Sequence, residues 1–81
     1  MSKQKPTVVD RDGFRAEWFS RRTEWECNIY KIEPDGTRGA LVAELGYPKI
    51  SGVGINDFMP EAVSIAKRNV EKDLPQHATA P

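Results

Sequence analysis

Cysteine and histidine are each present once, as Cys27 and His77. A single cysteine closes no internal disulfide, and together with one histidine it leaves too few ligands of the usual kinds for a zinc site. His77 follows Pro75 in a stretch without apolar periodicity. A general base has to be held in geometry, so serine–histidine and cysteine–histidine catalysis are not expected. No cofactor is expected either.

A charge excess is also missing. Lys and Arg total 12, and Asp and Glu total 12. Residues 1–38 hold eight basic and seven acidic side chains, and residues 39–81 hold four and five. A domain that grips a phosphate backbone usually carries a basic surplus. Long apolar runs are absent, so no membrane span is expected. The opening MSKQKPT has no apolar centre and does not read as a signal peptide. These absences point to a cytoplasmic chain.

Glycine is spaced wrongly for phosphate binding. Gly52-Val53-Gly54 lacks the third glycine of a dinucleotide fingerprint, and no P-loop lysine follows. Asp35-Gly36 lacks the ligand ladder of a calcium loop. No small-molecule substrate is evident.

What is present is one strongly periodic stretch, Asp57 to Leu74. At about 100 degrees per residue, Ala62, Val63, Ala66, Val70 and Leu74 fall within about 60 degrees of Met59. Glu61, Ser64, Arg68, Glu71 and Lys72 take the other side. Phe58 and Ile65 lie at the edge of the stripe and either widen the buried face or leave an apolar strip exposed. Asn56 and Asp57 are N-cap types, and Pro60 suits a first turn. Pro75 marks the end, because the residue before a proline avoids helical angles.

Ahead of that helix the chain reads as strands. Phe14, Ala16 and Trp18 alternate with Arg15, Glu17 and Phe19, and Trp25, Cys27 and Ile29 alternate with Glu24, Glu26 and Asn28. The phase changes at Tyr30 and Ile32, which suggests a bulge or a strand end covered on both sides. Thr37 to Leu45 is the return strand, with Leu41, Ala43 and Leu45 on one face and Ala40 and Val42 on the other. Gly46-Tyr47-Pro48-Lys49 breaks it. Asp10–Gly13 and Glu33–Gly36 are turns. Val8 and Val9 either add a short strand or pin the N-terminal segment. Residues 50–55 form either a short strand or an extended lead-in to the helix.

The expectation is therefore an α+β fold. A three- to four-stranded antiparallel meander carries one C-terminal amphipathic helix on one face. Residues 7–74 form a single domain, and residues 1–6 and 75–81 are flexible tails.

Candidate chemistry is sparse. Cys27 lies mid-strand among core residues with no base beside it, so it reads as a structural cysteine rather than a nucleophile. Glu24 and Glu26 read as a solvated strand face rather than an acid/base pair. Arg15, Arg21, Arg22, Lys31 and Arg38 are interleaved with Trp18, Phe19, Trp25 and Tyr30. Such a mixture can stack bases and hold phosphates, or it can be an ordinary mixed surface. The candidate contact residues are Arg21, Arg22, Phe19, Tyr30 and Lys31.

The β-β-β-α order over residues 14–74, with Met59-Pro60-Glu61-Ala62 opening the helix, resembles two families. One is the HicB-like antitoxin fold, whose helix begins with a similar Pro-Glu run. The other is the C-terminal part of the double-stranded-RNA-binding domain. The resemblance suggests a small bacterial domain. The RNA-binding family places lysines where this chain has Met-Pro-Glu-Ala, and MSKQKPTVVDRDG has no counterpart of that family's first helix. The expected function is a non-enzymatic module that binds a protein partner or its own copy through the free sheet face, on which Phe19, Tyr30, Ile32 and Val42 would form an apolar patch. The alternative is weak nucleic-acid binding by the sheet and the Arg21–Arg22 loop.

Overall fold

The computed structural model describes residues 5–79, and for residues 73–79 the backbone alone. Strands β1 (Thr7–Arg11), β2 (Phe14–Ser20), β3 (Glu24–Ile32) and β4 (Arg38–Pro48) precede one helix, α1 (Ile55–Thr79). The strands pair antiparallel in the order β1-β2-β3-β4, and the helix packs on one face. The fold is α+β, as the run of strands before one helix implies.

Short turns set this order. Arg11 pairs with Phe14 across Asp12 and Gly13, whose φ values are 54° and 83°. Asp-Gly with positive φ at both positions is the two-residue hairpin that matches strand twist. The turn after β3 closes with Gly36 N–H donating to the Glu33 carbonyl at 2.8 Å, and Gly36 has φ 90°. Asp35 Oδ1 accepts from the Thr37 backbone and hydroxyl at 3.0 and 2.7 Å, which holds that loop from within.

The core is built from the alternation. Phe14, Ala16 and Trp18 of β2 and Cys27 and Ile29 of β3 are buried beneath Met59, Ala62, Val63 and Ala66 of α1. Phe58 and Ile65 pack against this cluster, so the edges of the helix stripe widen the buried face. Trp18 Nε1–H points to Met59 Sδ at 3.3 Å. The rings of Tyr47 and Phe58 stack at 4.5 Å between centroids.

Of the alternatives left open, Val8 and Val9 do add a strand, β1 from Thr7 to Arg11, and residues 50–55 form no strand. Val53 N–H instead closes a turn on the Ile50 carbonyl at 3.0 Å, with Gly52 at φ 84°. Other boundaries differ from the expectation. β4 runs through Gly46-Tyr47 to Pro48, because Tyr47, paired with Trp25 of β3, is buried against the Trp18 and Phe58 rings, and proline is tolerated at the end of an edge strand.

The helix starts at Ile55, so Asp57 is not the N-cap. Gly54 occupies the cap, and Asp57 Oδ2 accepts from its N–H at 2.8 Å, half of a capping box. Pro60 consequently stands in the second turn, where it withholds a donor from the Asn56 carbonyl. Pro75 likewise does not end the helix, which continues to Thr79; a helix can carry a proline at the expense of a local kink. Of the expected tails, residues 1–4 and 80–81 lie outside the described residues.

The irregularity foreseen near Tyr30 is present, but the extra residues belong to β4. The β2–β3 register is continuous through this region. Ile29, Tyr30 and Ile32 pair with Ala43, Leu41 and Arg38, which leaves Val42 and one of Gly39 and Ala40 surplus. This bulge turns Leu41 away from Ala43 and Leu45, onto the opposite face beside Tyr30. The expected grouping of Leu41 with Ala43 fails for that reason. Val42 moves the other way and packs against the core, and its carbonyl accepts from Asn69 Nδ2 at 2.8 Å.

Candidate interaction surface

Among the described residues nothing covers the sheet face away from α1, and strand register defines its rows. Asp10, Arg15, Tyr30 and Leu41 form one row across all four strands, and Val8, Glu17, Asn28 and Glu44 form the next. Phe19, Glu26 and Gly46 follow. Beyond the first row, Ile32 pairs with Arg38.

Ion pairs lace this face. Arg15 holds both carboxylate oxygens of Asp10, at 2.8 and 3.0 Å, and also donates to the Gly36 carbonyl at 3.3 Å. The Arg15 guanidinium holds the Asp10 carboxyl below the ordinary carboxylate range. Arg38 Nη1 donates to Glu17 Oε2 at 2.9 Å while its guanidinium carbon sits 4.4 Å from the Tyr30 ring centroid. Arg21 Nε donates to Glu26 Oε1 at 2.6 Å and its guanidinium lies 5.3 Å from the Phe19 ring. Two aromatic rings are thus each capped by a guanidinium, which is in turn tied to a carboxylate. Such exposed pairs add about 0–1 kcal/mol each to stability. Their larger effect is to hold flat, amphipathic groups in place on an open surface.

The sequence-predicted residues separate into three places. Phe19 and Tyr30 share the free face, but the Glu17–Asn28 row lies between them. They are four residues apart along the strand, roughly 13 Å. With Val42 packed toward the core, the continuous apolar patch does not form. Lys31 pairs with Phe14 and sits on the helix side of the sheet, so it does not join Tyr30. Arg21 and Arg22 occupy the β2–β3 hairpin tip. Lys49 joins them there: its backbone N–H donates to the Thr23 carbonyl at 3.1 Å, its ammonium bonds the Ser20 hydroxyl, and it lies 4.9 Å from the Trp25 ring.

Asp10, Glu17 and Lys49 are the site residues that reading strand by strand misses. The Asp10–Arg15 pair has a signal in the sequence, because a two-residue Asp-Gly hairpin places those positions opposite each other. Arg38 over Tyr30 has none, since it depends on the bulge.

Two buried titratable groups are held in their neutral forms. Cys27 is fully buried, and burial pushes its thiol up to about 12. The thiolate needed for nucleophilic attack is therefore negligible near neutral pH. Tyr47 is also raised to about 12, by burial first and then by the nearby Glu61 charge. Its hydroxyl has no hydrogen-bond partner among the described residues. No group of three His, Cys, Asp or Glu side chains among the described residues is placed to hold a metal. No helix among them is long and apolar enough to cross a membrane. Asp57 places a carboxylate at the N-terminus of α1, on the Gly54 amide, which disfavours an external anion there.

Comparison of the chain with protein-family models, with curated proteins and with solved structures finds no match.

Proposed function

We propose that the protein is a small non-enzymatic interaction module whose uncovered sheet face binds a protein partner or a second copy of the chain. The observation that carries this reading is the pair of guanidinium-capped aromatics, Arg38 over Tyr30 and Arg21 over Phe19, set among carboxylates on an open four-stranded face. Arginine and tyrosine are the residues most often found dominating protein interfaces. Mixed charges across such a face favour a partner of complementary pattern rather than a uniform polyanion. The buried, unactivated Cys27 supports a non-catalytic role, and an unpaired thiol suits a reducing compartment such as the cytoplasm. The likeness of the β-β-β-α order to HicB-like and RNA-binding domains is one of architecture, and architecture does not assign activity.

The test compares the wild type with the variant Phe19→Ser/Tyr30→Ser, after circular dichroism and a thermal melt show both folded. Light scattering over a concentration series and capture from a cell lysate should both show complexes that the variant loses. Complexes retained by the variant, or none in either assay, would end the reading.

A second reading rests on the hairpin tip. Arg21, Arg22 and Lys49 gather there beside Trp25, an arrangement suited to a single-stranded nucleic acid through phosphate contact and base stacking. It predicts binding that weakens steeply with salt and falls at least tenfold in Arg22→Ala/Lys49→Ala. Binding of short single strands that is indifferent to salt and to these changes rules it out.

A further inference from the structure

The outer edge of β4 is the long open edge of the sheet. β1 at the opposite edge has five residues, and β4 has eleven. An open edge is a template for another strand unless something blocks it. A groove runs along part of this edge, lined by Leu41, Val42, Ala43, Glu44 and Asn69. Leu41 within it is 45% exposed, one of few large apolar side chains so open to solvent. Glu44 is exposed and has no ion-pair partner among the described residues.

The bulge brings Arg38, Leu41 and Glu44 onto the same face at a spacing of three, rather than the two of a regular strand. That order reads positive, apolar, negative. Laid antiparallel against itself with the twofold axis at Leu41, it is self-complementary. Arg38 then faces Glu44 of the second copy, Leu41 faces its own counterpart, and Glu44 faces the second Arg38. Residues 39–40 of one strand lie opposite residues 42–43 of the other, so each interval holds two residues on both strands and the irregularities match. Arg38 turns inward over Tyr30 to Glu17, and its side chain is half exposed, so pairing with Glu44 of the second copy exchanges that surface bond for the new one.

We propose that this edge pairs with a second copy of the chain, β4 against β4 about Leu41, to give a symmetric dimer with a continuous sheet of eight strands. The proposal goes beyond the sheet-face reading, since its contact lies along the β4 edge and its partner is the chain itself. The symmetry is the closed, isologous kind that most homodimers use. Asn69 on the Val42 carbonyl limits the backbone pairing at one point, so the contact is short and side chains set its register. Interfaces this small are weak, and the dimer should build up over roughly micromolar to millimolar concentration.

The experiment is analytical ultracentrifugation of four variants whose thermal melts match the wild type. Glu44→Arg and Leu41→Asp should each weaken dimerisation at least tenfold. Arg38→Glu should do the same, and Arg38→Glu/Glu44→Arg should restore the wild-type constant, because the charge order is inverted on both strands at once. A dimer that ignores these changes but is lost in Phe19→Ser/Tyr30→Ser overturns edge pairing and leaves the face reading standing. A wild type that stays monomeric at millimolar concentration overturns edge pairing outright. Lysate capture that depends on Phe19 and Tyr30 would still show whether the module binds other proteins.

Discussion

Met59 and Trp18 illustrate how single side chains specify this core. Both are almost fully buried, and the indole N–H of Trp18 has the Met59 sulfur as its acceptor. Exchanging methionine for leucine in a core usually costs less than 1.5 kcal/mol because volume is conserved. Here Met59→Leu also leaves the indole donor without a partner, so we expect about 1–3 kcal/mol of destabilisation. Chemical denaturation of Met59→Leu, Trp18→Phe and the double variant measures it. The double variant should cost less than the sum of the singles, and strict additivity would show that the sulfur is only filling space. Cys27 obeys the same logic of burial. Its thiol should react with an aromatic disulfide reagent orders of magnitude more slowly in the folded protein than in denaturant at neutral pH. Rapid labelling of the folded chain would mean that the strand opens locally far more often than a fully buried centre allows.

At the scale of elements, the parts legible in the sequence are those governed by short-range alternation. β2, β3 and the stripe on α1 follow from periodicity because each has one dry face. β4 is legible only in its first part. Gly46, Tyr47 and Pro48 look like a break by composition, yet the burial of Tyr47 against Phe58 outweighs local preference. The displaced Leu41 was out of reach, since a one-residue surplus on β4 reverses a face without altering the apolar pattern. β1 was equally faint, because TVVDR has only Val9 turned to the core. Of the candidate site, Phe19, Tyr30 and the Arg21–Arg22 tip were legible, whereas the guanidinium caps depend on register between strands far apart in the chain. Two element-level contacts carry a prediction. Asp57→Ala removes the bond to the Gly54 amide and should cost about 0.5–1 kcal/mol. Asn69→Ala uncovers the Val42 carbonyl and should cost about 1 kcal/mol. Hydrogen exchange should locate the first loss in the opening turn of α1 and the second near the β4 bulge; a uniform loss of protection would contradict both assignments.

The whole molecule has its charges at the surface, on both sides of the sheet, and its ionisable-but-neutral groups in the core, so acid and alkali act on different layers. Asp10 and Asp35 are held below the ordinary carboxylate range, Asp10 chiefly by the Arg15 hydrogen bond and Asp35 by Thr37. Their contribution is present above the ordinary range and is lost as pH falls through the folded values, because the unfolded chain takes up protons first. Both are exposed, so the acid limb should be shallow and should flatten further in high salt. Cys27 and Tyr47 behave oppositely. Burial raises the thiol from 9.0 and the phenol from 10.0, each to about 12. Above about pH 9 the unfolded chain releases protons that the folded one keeps, so stability should fall steeply from about pH 9 to about pH 12. Thermal melts across this range check the asymmetry. Cys27→Ala should delay the onset of the alkaline fall by about one pH unit, leaving the phenol to begin it. A melting temperature that stays level through about pH 11 would mean that neither group is desolvated, and the core between β3, β4 and α1 would then have to be wet.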